Sequence, residues 1–368
     1  MQPSYNAIFY ILIFWLSIYL FSKFYLRGRE NIVINPIYIM IKKKISEGFL
    51  EGTKDKRIFK LISALFVILA VVSMVLFYYF VVPLSLARFS GQGAQGGLTP
   101  IIPGVTISGE SLIYLLINIG IAATIHEFSH ALIARSRGIK IKSAGFILAI
   151  ILPMAFVEPD DSDFKKASLK DKLSVYSAGP SSNLILAFIL LGLLSLFASM
   201  GGGVLITSVD QGSPAERAGL EPGYIIKAVN GTVVKNLRDF QSALGDYREK
   251  ELVFVLEVLK PDGSTTIVII HKLSNETKLG IGIANAPPQG VLGKLVTPIS
   301  VFLVWGYIVN FSLAIINAAP MFITDGARMI SDLITEKLKG DKGKAVNFFI
   351  QVLTMLILLF SLSLQPIG

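Results

Sequence analysis

The chain alternates between long runs without a charged residue and short stretches crowded with lysine, arginine and carboxylates. The charge-free runs are Met1–Ser22, Leu61–Ala87, Ser111–Ile125, Leu173–Val209, Leu295–Thr324 and Ala345–Gly368. All but Ser111–Ile125 exceed the roughly 20 residues that a helix needs to cross a bilayer core. The pattern predicts about six transmembrane helices: Asn6–Ser22, Leu61–Leu84, a third from Ser111 to Arg135, then Leu173–Ala198, Val296–Ile316 and Ala345–Leu364. Ser143–Phe156 is apolar but short, and Gly145 and Pro153 interrupt it. It predicts a re-entrant, β-hairpin-like segment rather than a span. Gly91–Gly97 reads as loop.

Residues 203–273 have a different texture, with interspersed charges and alternating apolar positions. Leu252–Leu259 and Thr265–Ile270 flank Pro261-Asp262-Gly263, a hairpin signal. The expected organisation is two N-terminal helices with a basic loop over 1–110, then the first part of a membrane core over 111–200. An inserted soluble module follows over 201–290, the second part of the core over 291–345, and a last helix over 346–368. The fold class is therefore a polytopic α-helical membrane protein carrying an inserted α/β domain.

Composition agrees. Of 368 residues, 53% are hydrophobic and only 16% charged, against about 25% in soluble domains; mean hydropathy is +0.65. The net charge of +9 would suit a nucleic-acid binder, but in this setting it predicts cytoplasmic loops, and no nucleic-acid partner is expected. The dense basic loop from Lys23 to Lys60 should face the cytoplasm. Alternation then puts both termini and the inserted module on the extracytoplasmic side. Met1–Ser22 has no basic n-region or clear cleavage site, so it reads as a span rather than a leader. There are no cysteines, which removes disulfides, thiolate metal sites and cysteine nucleophiles.

The third span contains His126-Glu127-Phe128-Ser129-His130. Imidazoles at i and i+4 share one helical face, the spacing that grips Zn²⁺, and the intervening carboxylate can take a proton from water. Ionisable groups inside a span are expensive and point to function. A catalytic zinc usually has three protein ligands. The remaining histidine, His271, falls in the extracytoplasmic module, so a carboxylate should complete the set. Asp325 is one candidate, following a helix break at Pro320. Glu158 is its rival, although Asp160, Asp161 and Asp163 around it suggest a solvated loop. Ser177-Ala178-Gly179-Pro180-Ser181-Ser182-Asn183 is expected to open the fourth span and to place the Asn183 amide at membrane depth, free to pair with another helix or to reach a substrate.

HExxH in one span, GPxxN in the next and Asn317-Ala-Ala-Pro320 followed by Asp325-Gly326 in a third resemble the site-2 protease family of intramembrane zinc metalloproteases, in its archaeal form. The resemblance covers roughly residues 111–345. It implies that His126, His130 and Asp325 bind Zn²⁺, that Glu127 is the general base, and that Asn183 and Asn317 engage the substrate or transition state. It further implies hydrolysis of peptide bonds within transmembrane helices of bilayer-anchored substrates trimmed first by another protease. Val204–Leu220 and the following Glu221–Gly231 resemble a PDZ module, with Leu279-Gly280-Ile281 as a weak carboxylate-binding loop. A zinc-dependent transporter or channel, or an inactive PDZ scaffold, are the competing classes. Neither needs a glutamate between two histidines together with an acidic partner.

Overall fold

The computed structural model describes the chain apart from residues 1–4, 47, 55, 91–96, 104–105, 200, 246–250, 289 and 363–368. The expected loop at Gly91–Gly97 lies almost wholly outside the described residues. Two compact units emerge, one formed by Met1–Leu190 with Trp305–Gly368 and the other by Leu191–Val304.

In chain order the first unit has α1 (Tyr5–Tyr25), β1 (Ile32–Ile34), β2 (Tyr38–Lys44), α2 (Arg57–Phe89), α3 (Glu110–Ser136), β3 (Ile141–Ala149), β4 (Leu152–Pro159), α4 (Asp161–Lys166) and most of α5 (Leu169–Ser199), whose end from Leu191 belongs to the second. The second holds β5 (Val204–Val209), α6 (Pro214–Arg217), β6 (Ile225–Val229), β7 (Thr232–Val233), α7 (Leu237–Leu244), β8 (Leu252–Leu259), β9 (Thr265–Lys272) and β10 (Ile281–Asn285). Then α8 (Gly290–Ala318) returns the chain to the first unit, which α9 (Asp325–Lys337) and α10 (Asp341–Ser361) complete. Among the described residues, α2, α3, α5, α8 and α10 are long and apolar enough to cross a membrane. The protein is therefore a multi-pass membrane protein. Within α1 the apolar stretch Phe9–Tyr25 is shorter.

The segment from Ser143 to Phe156 forms a β-hairpin, and it belongs to a larger sheet than the sequence suggests. β3 and β4 turn at Ile150-Ile151, with Ile150 at φ 57°. A two-residue hairpin needs a positive φ there and usually takes glycine or asparagine; this tip keeps two branched apolar residues instead. β2 pairs with β3 from Lys44↔Ser143 to Tyr38↔Ala149, and β1 pairs with β2, giving an antiparallel order β1-β2-β3-β4. The basic segment after α1 is thus not simply loop. Its lysines lie at one end of β2, while Tyr38-Ile39-Met40-Ile41 lie beside the apolar hairpin.

Two further expectations are corrected. α5 begins at Leu169, so Pro180 sits in the helix interior rather than in its first turn. It has no N–H to give the Tyr176 carbonyl. Glu158 is on strand β4, not in a solvated loop. There Ser143 Oγ donates to its Oε2 at 2.5 Å, Lys42 Nζ reaches the same oxygen at 2.5 Å, and Lys142 Nζ pairs with Oε1 at 3.0 Å. These bonds, Lys42's foremost, lower the Glu158 carboxyl pKa to about 2.

The second unit is a sheet of order β10-β5-β6-β8-β9, with β7 on β6, over a core that includes Ile206, Ile226, Phe240, Leu256 and Ile270. Asn230 and Gly231, at φ 49° and 79°, turn β6 into β7, the dipeptide that such tight turns favour.

Candidate metal centre

His126 and His130 project from one face of α3 onto a single oxygen. Asp325 Oδ2 lies 3.1 Å from His126 Nε2 and 3.2 Å from His130 Nε2. All three side chains are nearly inaccessible. Asp325 reaches this place because the chain breaks between α8 and α9. Pro320 cannot continue the helix hydrogen bonding. Thr324 then closes the turn: its Oγ1 donates to the Ala319 carbonyl at 2.5 Å and accepts from Ala327 N–H at 3.2 Å, capping α9. Asp325 is the first residue of that helix. Gly326 serves close approach rather than an unusual backbone angle, since a Cβ there would strike the Ala318 carbonyl.

Whether these groups suit a metal can be tested on their spacing. Zinc holds nitrogen and oxygen donors at about 2.0–2.1 Å, so neighbouring donors on a tetrahedron stand about 3.3 Å apart. The two nitrogen–oxygen separations, 3.1 and 3.2 Å, are close to that edge, and all three donor atoms lie within 4.8 Å of one another. The partner helix also leaves room. A Cβ on Gly179 of α5 would collide with the Nε2 atoms of both histidines. Glycine therefore keeps open the point on which both nitrogens converge. His130 Nδ1–H donates to the Val175 carbonyl of α5 at 2.7 Å, which leaves its Nε2 lone pair directed at the cluster. Two imidazoles and a carboxylate are a common zinc donor set, and the residues fit.

Beside the cluster lies a cavity of about 240 Å³, lined in part by Glu127, His130, Val157, Tyr176, Asp325 and Arg328. Glu127 Oε2 accepts from the Val157 N–H of β4 at 3.0 Å. Arg328 Nη1 stands 3.7 Å from Asp325 Oδ1. An apolar groove of about 600 Å³ runs between Leu116–Ile125 of α3 and the β3–β4 hairpin, where Phe146, Leu148, Pro153 and Met154 line it.

The structure thus brings together His126, Glu127, His130, Asp325 and Asn183, whose amide is fully buried 3.3 Å from His126 Nδ1. Asn317 is half-buried in the last turn of α8 and is not in this group among the described residues. Glu158 is held by its lysines, away from the cluster. Sequence reasoning missed Val157, Val175 and Thr324, which act through backbone atoms or a cap. Gly179 could have been found: it lies in the Gly-Pro pair, four residues from both Val175 and Asn183.

The fold and site define a multi-pass membrane protein with a buried His-His-Asp cluster suited to a metal ion. The chain belongs to peptidase family M50, whose model matches residues 114–358. It is 33% identical over 263 residues to an uncharacterized protein of Methanocaldococcus jannaschii, covering 71% of this chain and 65% of that one. It is 28% identical to the zinc metalloprotease RasP of Shouchella clausii over 38% of this chain and 34% of the relative. A membrane-bound transcription factor site-2 protease homolog of Arabidopsis thaliana is 28% identical over 36% of this chain and 27% of its own. The chain therefore spans less than two thirds of the length of these relatives.

Proposed function

We propose that this protein is an intramembrane zinc metalloprotease that cuts peptide bonds within or near the transmembrane helices of membrane-anchored substrates, as in regulated intramembrane proteolysis. The observation that carries this reading is the convergence of two HExxH imidazoles and Asp325 on one point, with Glu127 opening on the adjacent cavity. In this reading His126, His130 and Asp325 hold Zn²⁺. A bound zinc ion supplies Lewis acidity that polarises the scissile carbonyl and eases deprotonation of water. Glu127 takes the proton of the attacking water and returns it to the leaving amine. Asn317 remains a candidate for positioning substrate.

A helical substrate hides its peptide bonds, so it must be read extended. β4 is the edge of its sheet, and Val157 N–H points outward to Glu127. By alternation the outward positions are 153, 155, 157 and 159. Two of these are Pro153 and Pro159, with no N–H to offer. Ala155 is then the outward position whose N–H has no partner among the described residues, and it can pair with an unwound substrate strand. The apolar groove along α3 leads a substrate's membrane segment toward that edge.

We assign the second unit to an extracytoplasmic PDZ-like module and both termini to that same side, from the charge distribution of the loops. Glu127→Gln should keep zinc in stoichiometric amount and slow cleavage of a transmembrane model peptide by about 10²–10⁴-fold. His126→Ala and His130→Ala should lose the metal as well. Wild-type turnover in zinc-loaded Glu127→Gln would remove the proposed base, and wild-type protein that takes up no zinc would remove the whole reading.

A further inference from the structure

The two histidines are held from the same helix, and the two holds differ in one respect. On α5, Val175, Gly179 and Asn183 recur every four residues and so share one face. The Val175 carbonyl takes the Nδ1 proton of His130, Gly179 clears the space at both Nε2 atoms, and Asn183 meets Nδ1 of His126. The amide atom at that last contact is Nδ2, a donor, at 3.3 Å, while Asn183 Oδ1 is buried with no partner among the described residues.

That orientation forces an unfavourable arrangement. If Nδ2–H points at Nδ1, then Nδ1 carries the lone pair and Nε2 carries the proton. His126 then cannot use Nε2 as a ligand, although Nε2 lies in the cluster with His130 Nε2 and Asp325 Oδ2. The amide oxygen is also stranded in a membrane interior that has nothing to offer it. The carboxamide's two ends are nearly the same size and exchange by a half-turn about the last side-chain bond. The half-turn corrects the tautomer: Oδ1 gains the Nδ1–H donor, Nε2 is left with its lone pair toward Asp325, and the NH₂ group takes the place that Oδ1 had.

We propose that Asn183 is the positioning residue for His126, accepting its Nδ1 proton through the carboxamide oxygen and so fixing the tautomer that can bind metal. Asn183 does for His126 what the Val175 carbonyl does for His130. This inference rests on the zinc reading above, and it gives Asn183 a task distinct from touching substrate.

The test separates an acceptor from a donor. Aspartate at 183 can accept from Nδ1–H but, ionised, cannot donate. Leucine has a similar volume and can do neither. Zinc affinity of the purified full-length protein is measured in a chelator-buffered zinc series, together with the visible spectrum of the cobalt-substituted protein. Asn183→Asp should hold zinc at least as tightly as wild type and keep the tetrahedral cobalt spectrum. Asn183→Leu should bind zinc about 10–100-fold more weakly, the usual cost of losing such an outer partner. Equal weakening in both variants would make the NH₂ group the functional end and overturn the proposal. Unchanged affinity in Asn183→Leu would overturn it too. Should Asn183→Leu fail to fold, the Asp variant alone decides, because a tenfold loss of zinc affinity there contradicts an acceptor role. Absence of zinc from the wild type would instead be the failure of the metal reading.

Discussion

At the scale of single residues, the site depends on atoms that do no chemistry. Asp325→Asn replaces a carboxylate by a poor zinc ligand and should weaken zinc binding by more than the roughly 10–100-fold typical of outer-shell changes. Glu158→Gln should leave zinc affinity unchanged, since Glu158 is bound to Lys42, Lys142 and Ser143. Gly179→Ala is the sharper probe, because it changes no ligand. Its methyl group would occupy the space at both Nε2 atoms, so zinc content measured by elemental analysis should fall while the helical circular dichroism stays. How legible these residues are in the sequence follows from how local their interactions are. His126 and His130 are four residues apart, so spacing alone puts them on one face. Asp325 lies almost two hundred residues away and became a candidate only through the helix break before it. Val175 and Val157 contribute backbone atoms, which no side-chain pattern announces.

At the scale of elements, the sheet is where sequence and structure diverge most. The Lys42-Lys43-Lys44 run has the composition of a solvated loop, yet it continues strand β2 because its partners are supplied by β3, a hundred residues on. Non-local pairing leaves no local trace. The same sheet makes two predictions. Ala155→Pro removes an outward N–H without touching the β3–β4 bonds, since Pro153 already sits at an equivalent outward position. If β4 receives the substrate strand, the loss of one hydrogen bond should lower kcat/KM about three- to tenfold with zinc content unchanged. Unaltered kinetics would place the substrate elsewhere. The second concerns Glu158, whose carboxyl is lowered from 4.5 to about 2 in the folded protein. A depressed carboxyl stabilises the fold fully above its unfolded pKa, and that contribution disappears as pH falls through the folded value. The gap in thermal stability between wild type and Glu158→Gln should therefore be full at pH 7 and shrink between about pH 4.5 and 2. A gap that is constant with pH would mean that the glutamate's charge is not what ties β4 to β2 and β3.

At the scale of the whole molecule, the inserted module is closed on itself at the point where the chain enters and leaves. Gly202 N–H donates to the Ala286 carbonyl at 2.9 Å, and Ala286 N–H donates to the Gly203 carbonyl at 3.0 Å. Its sheet runs from β5 at the start to β10 at the end, and these two strands pair with each other. A clean excision must therefore remove residues 204–285 together; a cut that stopped at residue 272 would leave β10 without its partner. Joining Gly203 to Ala286 bridges positions that are already hydrogen-bonded neighbours, so α5 and α8 need not move. We expect the module to act as a size filter on the extracytoplasmic side, because short connections tie it to α5, which carries Gly179 and Asn183, and to α8, which leads to Asp325. The excised protein should then cut a transmembrane segment bearing a folded outer domain as readily as one bearing a short tail, and Glu127→Gln should still abolish both reactions. The full-length protein should cut the short-tailed form at least tenfold faster, which would make an earlier trimming cut the step that admits a substrate. Equal cutting of both forms by the full-length protein would end the filter idea and leave the edge strand β10, with the Leu279-Gly280-Ile281 loop before it, as a peptide-binding surface to test by titration with extended peptides.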